Sequence, residues 1–216
     1  MRSIRRAAED DAACLIIALD TPGGLAESMR KIVLAILSSP VPVVVYVSPS
    51  GAREASAGVM ITMAADIAAM APGTNIGAAH PVASGGGEIG EDMADKIMND
   101  MIANARSVAE KRGRNADWVE KAVRESVSVT ETEALDKNII DLVAADLEQL
   151  IQAISGRSIP GKGVLELDDP PDDLPLGIYG WATLTPAAPR TGPAVPVTWI
   201  RYREGKPHVS VEGVYQ

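Results

Sequence analysis

Gly51-Ala52-Arg53-Glu54-Ala55-Ser56-Ala57-Gly58 runs directly into the apolar stretch Val59-Met60-Ile61-Thr62-Met63-Ala64-Ala65. The apolar stretch reads as a helix and the small residues before it as a turn, which places Ser56 at or near a helix N-terminus. The first backbone N–H groups of a helix have no intrahelical partner, and the helix dipole favours negative charge there. A hydroxyl nucleophile that creates an oxyanion needs such surroundings. Serine also caps helices without doing chemistry, so this stretch alone leaves both roles open.

Reading outward, Leu15-Ile16-Ile17-Ala18-Leu19 is an apolar strand that ends in Asp20-Thr21-Pro22-Gly23-Gly24. Leu25, Met29, Ile32, Val33, Ile36 and Leu37 then recur at helical spacing. Two glycines between strand and helix let backbone amides approach a ligand closely. The next strand, Val41 to Val47, leads into the Ser56 segment. In an open parallel sheet ligands gather at the carboxyl ends of strands, and here two successive strand ends deliver a glycine turn and a serine to one edge. An ordinary tight turn at Gly23-Gly24 is the plain alternative.

The wider pattern alternates. Strands are expected at 14–20, 41–47, 67–71 and 139–144, with helices at 24–38, 56–65, 91–112, 115–125, 131–137 and 146–154. Such alternation is the signature of an α/β fold. Gly113-Arg114-Asn115 stops one helix and starts the next, and Thr130 with Glu133 forms a capping box. Beyond Ser155 the character changes: prolines recur from Pro160 to Pro207, and Asp168, Asp169, Asp172 and Asp173 bracket Pro170 and Pro171 as a solvated linker. Trp181, Trp199, Tyr179, Tyr202 and Tyr215 lie in this tail, where 195–202 and 209–215 are expected to form strands of a small β unit.

The 216 residues suffice for one substantial core, 46% of them hydrophobic, and with no Phe that core must be built from Ala, Val, Ile, Leu and Met. A formal net charge of −9 argues against nucleic acid or an anionic membrane surface as partner. Cys14 lies in an apolar strand and is expected to be buried and inert; as the single cysteine it allows no intrachain disulfide. Two histidines and one cysteine, widely spread, give no metal-ligand cluster. No apolar stretch reaches the length of a membrane span, and the arginines at 2, 5 and 6 precede acidic rather than hydrophobic residues, so no signal peptide is expected.

Five stretches taken in order, DTPGGL (20–25), SPVPVVVYVSPSGAREASAG (39–58), AAMAPGTNIGAAHPV (68–82), DKIMNDMIANARSVAEKRGRNADWVEKAVRESVSVTETEAL (95–135) and IIDLVA (139–144), resemble the NfeD-type membrane-bound serine proteases. These are relatives of signal peptide peptidase A within the Clp protease/crotonase superfamily. The resemblance covers roughly residues 12–155. It implies an α/β Clp protease/crotonase-like layered fold with a mostly parallel sheet over 1–155, followed by an irregular Pro-rich tail over 156–216. The family's domain usually begins with a further strand that has no counterpart here.

The resemblance also implies a serine endopeptidase with a Ser-Lys dyad. Ser56 matches the nucleophile, Lys96 the general base, and Gly24 and Ala57 the residues whose N–H groups form the oxyanion hole. Lysine is a base only when neutral, and apolar burial favours that form. Met93, Ile97, Met101, Ala105 and Val108 make an apolar stripe that Lys96 flanks; this helix alone favours an exposed lysine paired with Asp92 or Asp100, and the family motif reverses that order. His80 is the alternative base, near where Clp-type peptidases carry the histidine of a Ser-His-Asp triad, but Ser126 stands where the aspartate belongs.

The loop 82–88, rich in glycine, is expected to move, either as a lid over bound peptide or as a plain connection. The family implies hydrophobic segments of stomatin-like membrane proteins as substrates, no cofactor, a homodimer or larger assembly, and a membrane-associated enzyme with its protease domain outside the cytoplasm. Two other readings stand beside it: a crotonase-like acyl-thioester enzyme, and an assembly module that has lost activity.

Overall fold

The computed structural model describes residues 2–80, 91–167 and the strands at 181–183, 194–203 and 206–211, with side chains described up to 80 and from 93 to 167. The loop at 82–88, the acidic linker of Asp168, Asp169, Asp172 and Asp173, and the aromatic side chains of the tail lie outside these residues.

In chain order the elements are α1 (Arg2–Glu9), β1 (Cys14–Leu19), α2 (Ala26–Leu37), β2 (Val43–Val47), β3 (Arg53–Ala55), α3 (Ala57–Ala64), β4 (Ile67–Met70) and β5 (Asn75–Gly77). There follow α4 (Glu91–Lys111), α5 (Ala116–Arg124), β6 (Ser128–Thr130), α6 (Glu131–Asp136), β7 (Leu142–Val143) and α7 (Leu147–Ile154). The short β8 (Ser158–Ile159) and β9 (Gly163–Val164) form a hairpin, and β10 (Trp181–Thr183), β11 (Ala194–Arg203) and β12 (Lys206–Val211) come last.

The main sheet has β1, β2, β4 and β7 side by side and parallel. β11 lies antiparallel on the outer edge of β1 and carries β10 and β12. Side chains alternate across a strand, and here the two faces meet different layers. Leu15, Ile17 and Leu19 of β1, with Val43, Val45 and Val47 of β2, join the large core formed with α2, α3, α4 and α5. Cys14, Ile16, Val44 and Tyr46 face the other way, against Leu150, Ile151 and Ile154 of α7 and against Ile159, Leu165 and Leu167. A strand buried on both faces is continuously apolar, which is why these runs stand out in the sequence. Each fully buried Leu or Ile contributes about 1.5–3 kcal/mol. Burial pushes the Cys14 thiol up to about 12, so it stays an inert thiol.

Ionic ties join the layers. Asp66, whose side chain is buried, accepts from Arg112 at 2.7 Å and from Lys162 at 2.6 Å. The buried Arg114 donates to the carbonyls of Met63 and Ala65 and to Asp141. Tyr46 donates to the Ala144 carbonyl at 2.8 Å. The capping box at Thr130 and Glu133 is present.

A second small sheet, β3-β5-β6, stands beside the main one; β3 runs parallel to β5 and β6 antiparallel to it. Its strands have three residues each, too few for a period of two to appear in the sequence. The arginine-rich N-terminus, expected only to lack a signal peptide, forms α1, which buries Ile4 and Ala7.

Candidate active site

The parallel arrangement brings the ends of β1 and β2 to one edge, and the turn after β1 is stitched to β3. Thr21 N–H donates to the Arg53 carbonyl at 2.9 Å, and Ala55 N–H donates to the Thr21 carbonyl at 3.0 Å. The Thr21 hydroxyl donates to the Gly23 carbonyl and accepts from Gly23 N–H, locking the glycine turn. The two segments singled out in the sequence are therefore adjacent.

Ser56 is half-buried and stands at the N-cap of α3 with φ 55° and ψ −113°. This left-handed backbone costs a non-glycine residue about 1–3 kcal/mol and persists only where the surroundings enforce it. The enforcement is visible: Ser56 N–H is held by the carbonyls of Gly77 and Ala78 at 3.4 and 3.2 Å. The side chain makes no capping bond, so the plain capping role considered for Ser56 does not apply and the hydroxyl is available.

Opposite it, Gly23 has φ 135°, and a Cβ there would meet Ser56 Cβ at 2.9 Å and Oγ at 3.3 Å. Only glycine allows the turn to come this near. A Cβ on Gly24 would lie 3.7 Å from Ala57 Cβ, so the two residues expected to form the oxyanion hole are neighbours. Among the described residues no hydrogen bond engages Gly24 N–H or Ala57 N–H. Two unengaged amides beside an uncapped hydroxyl at a helix N-terminus are the elements of an acyl-transfer site.

Lys96 lies in the second turn of α4 and is exposed. The apolar stripe expected around it differs in the structure. Met98, Met101, Ile102, Ala105, Val108 and Ala109 pack on the core, whereas Met93 and Ile97 are 56% and 42% exposed. The first turns of α4 extend past the core, so among the described residues nothing covers the stripe's N-terminal members. His80 is also exposed. Its Nδ1 lies 3.2 Å from the Val123 carbonyl, which can only accept, so Nδ1 carries the proton. Ser126, where a triad would need its carboxylate, is an exposed residue at φ 57°.

Of the two glycines singled out in the sequence, Gly23 stands nearer to Ser56 than Gly24 does, a detail set by backbone geometry. One residue was missed: Glu54, two residues before the serine, is fully buried, and a three-residue strand shows no alternation that could reveal it.

The NfeD1b N-terminal domain model matches residues 1–153. The chain is 43% identical over 157 residues to the membrane-bound protease PH1510 of Pyrococcus horikoshii, with 72% of this chain and 35% of that protein covered. It is 32% identical over 117 residues to the membrane protein NfeD1b of Bacillus subtilis, covering 54% of this chain and 25% of that one. It thus spans about a third or less of the length of these relatives. Among solved structures, the 1510-N membrane-bound stomatin-specific protease, in a mutant with serine replaced by alanine, superposes with a TM-score of 0.70 at 40% identity, over 76% of this chain and 83% of that one. A second 1510-N structure, a lysine-to-alanine mutant in complex with a substrate peptide, gives 0.70 at 39% identity over 78% and 80%. ClpP1 from Listeria monocytogenes shares the fold at a TM-score of 0.53 and 21% identity, over 66% and 80%. This chain belongs to the NfeD1b N-terminal domain family and has its Clp protease-like fold.

Proposed function

We propose that the chain is the catalytic domain of a serine endopeptidase, with Ser56 as nucleophile, Lys96 as general base, and the N–H groups of Gly24 and Ala57 as the oxyanion hole. The observation that carries this reading is the uncapped, strained Ser56 facing the Gly23-Gly24 turn. In the reaction the Ser56 hydroxyl attacks a peptide carbonyl while Lys96 takes its proton, and the carbonyl oxygen becomes an oxyanion between the two amides. The tetrahedral intermediate collapses to an acyl-enzyme as the protonated amine returns a proton to the departing amide nitrogen. Water, deprotonated by the same lysine, then releases the acid.

An exposed lysine is a poor base, so the active arrangement requires its water to be removed. A hydrophobic peptide segment laid over Met93 and Ile97 does that, and a second copy of the chain against the same helix would reinforce it. The stomatin-specific activity named for the 1510-N proteases supports hydrophobic segments of stomatin-like membrane proteins as substrates. A homodimer or larger assembly is proposed on the same grounds. The membrane-bound relative supports an enzyme working next to a membrane; that its protease domain lies on the extracytoplasmic side is part of the proposal. No helix among the described residues is long and apolar enough to cross a membrane. The division at residue 155 into a protease domain and a tail of separate purpose is likewise part of this reading.

The deciding experiment compares cleavage of a hydrophobic peptide by the wild type and by Ser56→Ala, Lys96→Ala and His80→Ala. The dyad requires the first two variants to be inactive and the third to be active. Activity that survives in Lys96→Ala and is lost in His80→Ala would transfer the base to His80.

A further inference from the structure

Glu54 sits within the framework of the site and takes no part in the chemistry above. On β3 its neighbour Arg53 is exposed, while Glu54 itself is fully buried. Neither carboxyl oxygen has a well-formed hydrogen bond; the Thr62 hydroxyl faces the carboxyl from α3, near enough to favour its ionised form but without closing such a bond. The fit is tight: a Cβ on Gly58 would stand 2.6 Å from Glu54 Cγ, 3.4 Å from its Oε1 and 2.9 Å from the Thr21 methyl. The carboxyl thus occupies a closed space walled by Thr21, from the turn that presents Gly24, by Gly58, from the turn that presents Ala57, and by Thr62. None of these three side chains carries a charge. Burial pushes the carboxyl up, to about 8, and the Thr62 hydroxyl pulls slightly the other way. An acid so placed is held in its neutral form in neutral solution.

We propose that Glu54 is a positioning residue that keeps the oxyanion hole competent only while it is protonated. Neutral, it packs the Thr21–Gly24 turn against the Ser56–Gly58 turn. When it loses its proton to solvent, a negative charge appears between the two segments that present the amides, and the developing negative oxygen is opposed. The proposal rests on the serine-protease reading.

The test uses the full chain and a fluorescent fluorophosphonate, with the labelling rate of Ser56 measured from pH 6 to 10. The rate of Glu54→Gln relative to wild type should be constant below about pH 7 and climb above about pH 8, approaching tenfold per unit, because only the wild type acquires the charge. A ratio that stays flat across the range overturns the proposal. Thr62→Val provides a second variant should Glu54→Gln fold poorly: without the hydroxyl that favours the ionised form, its rate relative to wild type should also climb above about pH 8, and a flat ratio counts against the proposal. Melting curves in a Ser56→Ala background separate the two readings. The folded state keeps the Glu54 proton up to about pH 8, whereas the unfolded state releases it near 4.5. Tm should therefore fall as pH rises through that window, and adding Glu54→Gln should remove the fall. Absent labelling at every pH with this Tm contrast intact refutes the dyad while supporting Glu54 as the acid buried beneath the turn; an unaltered Tm profile refutes Glu54.

Discussion

The two halves of the proposed dyad are built to different standards. The Ser56 corner is complete within the chain: its backbone is forced to a positive φ, two carbonyls hold its N–H, and a glycine turn closes on it from β1. The Lys96 corner is a helix end that overruns its core, with Met93 and Ile97 as exposed as the lysine. The difference teaches where the regulation of such an enzyme belongs. In the proposed enzyme a preformed nucleophile and oxyanion hole would need no rearrangement, so the step that would switch activity on is the covering of the base.

The largest effects test whether the halves act as one unit. Ser56→Ala and Lys96→Ala should each lower kcat/KM for peptide cleavage by at least about a thousandfold, and the double variant should be little worse, as for members of one catalytic device. Their stability should differ little. Lys96 is exposed, so its removal should change unfolding free energy by no more than about 0.5 kcal/mol. Denaturant melts that showed Lys96→Ala strongly destabilised would contradict the picture of an uncovered helix end. Gly23→Ala should be the next most damaging. Its φ of 135° and the 2.9 Å approach to Ser56 Cβ leave no room for a methyl group. We expect about a hundredfold loss of kcat, because the nucleophile must shift. Backbone strain of about 1–3 kcal/mol should also lower Tm by several degrees. Unchanged kcat in Gly23→Ala would mean the serine corner is looser than its geometry shows.

The same contrast explains what the sequence revealed. The main sheet was legible because β1, β2 and β4 are buried on both faces and read as unbroken apolar runs. Ser56 and the Gly23-Gly24 turn stood out as small residues at strand-to-helix junctions, but capping and an ordinary tight turn explained each alone, and it was the resemblance across five stretches that joined them into a candidate site. The capping box at Thr130 and Glu133 is a local hydrogen-bonding pattern and was readable for that reason. Lys96 was only half legible. Met93, Ile97, Met101 and Ala105 have helical spacing, but spacing says nothing about where the core ends: Met101 and Ala105 pack on it along with Met98 and Ile102, while Met93 and Ile97 do not. Glu54 and the three-residue strands around it were hidden, because their burial comes from long-range pairing of Thr21 with β3 rather than from any local period.

The smallest of the expected effects bears most directly on how the lysine corner is completed. Ile97→Ser removes an apolar side chain that the chain itself leaves 42% exposed. It should therefore leave Tm within about 1–2 °C of wild type. If a hydrophobic substrate covers that side chain, burial of one apolar group is worth roughly 1–2 kcal/mol, or about five- to thirtyfold in kcat/KM. Part of this loss should appear in kcat rather than in KM, because a less apolar cover removes less water from the amine. A variant that raised KM alone would show that Ile97 binds substrate without helping to make the base.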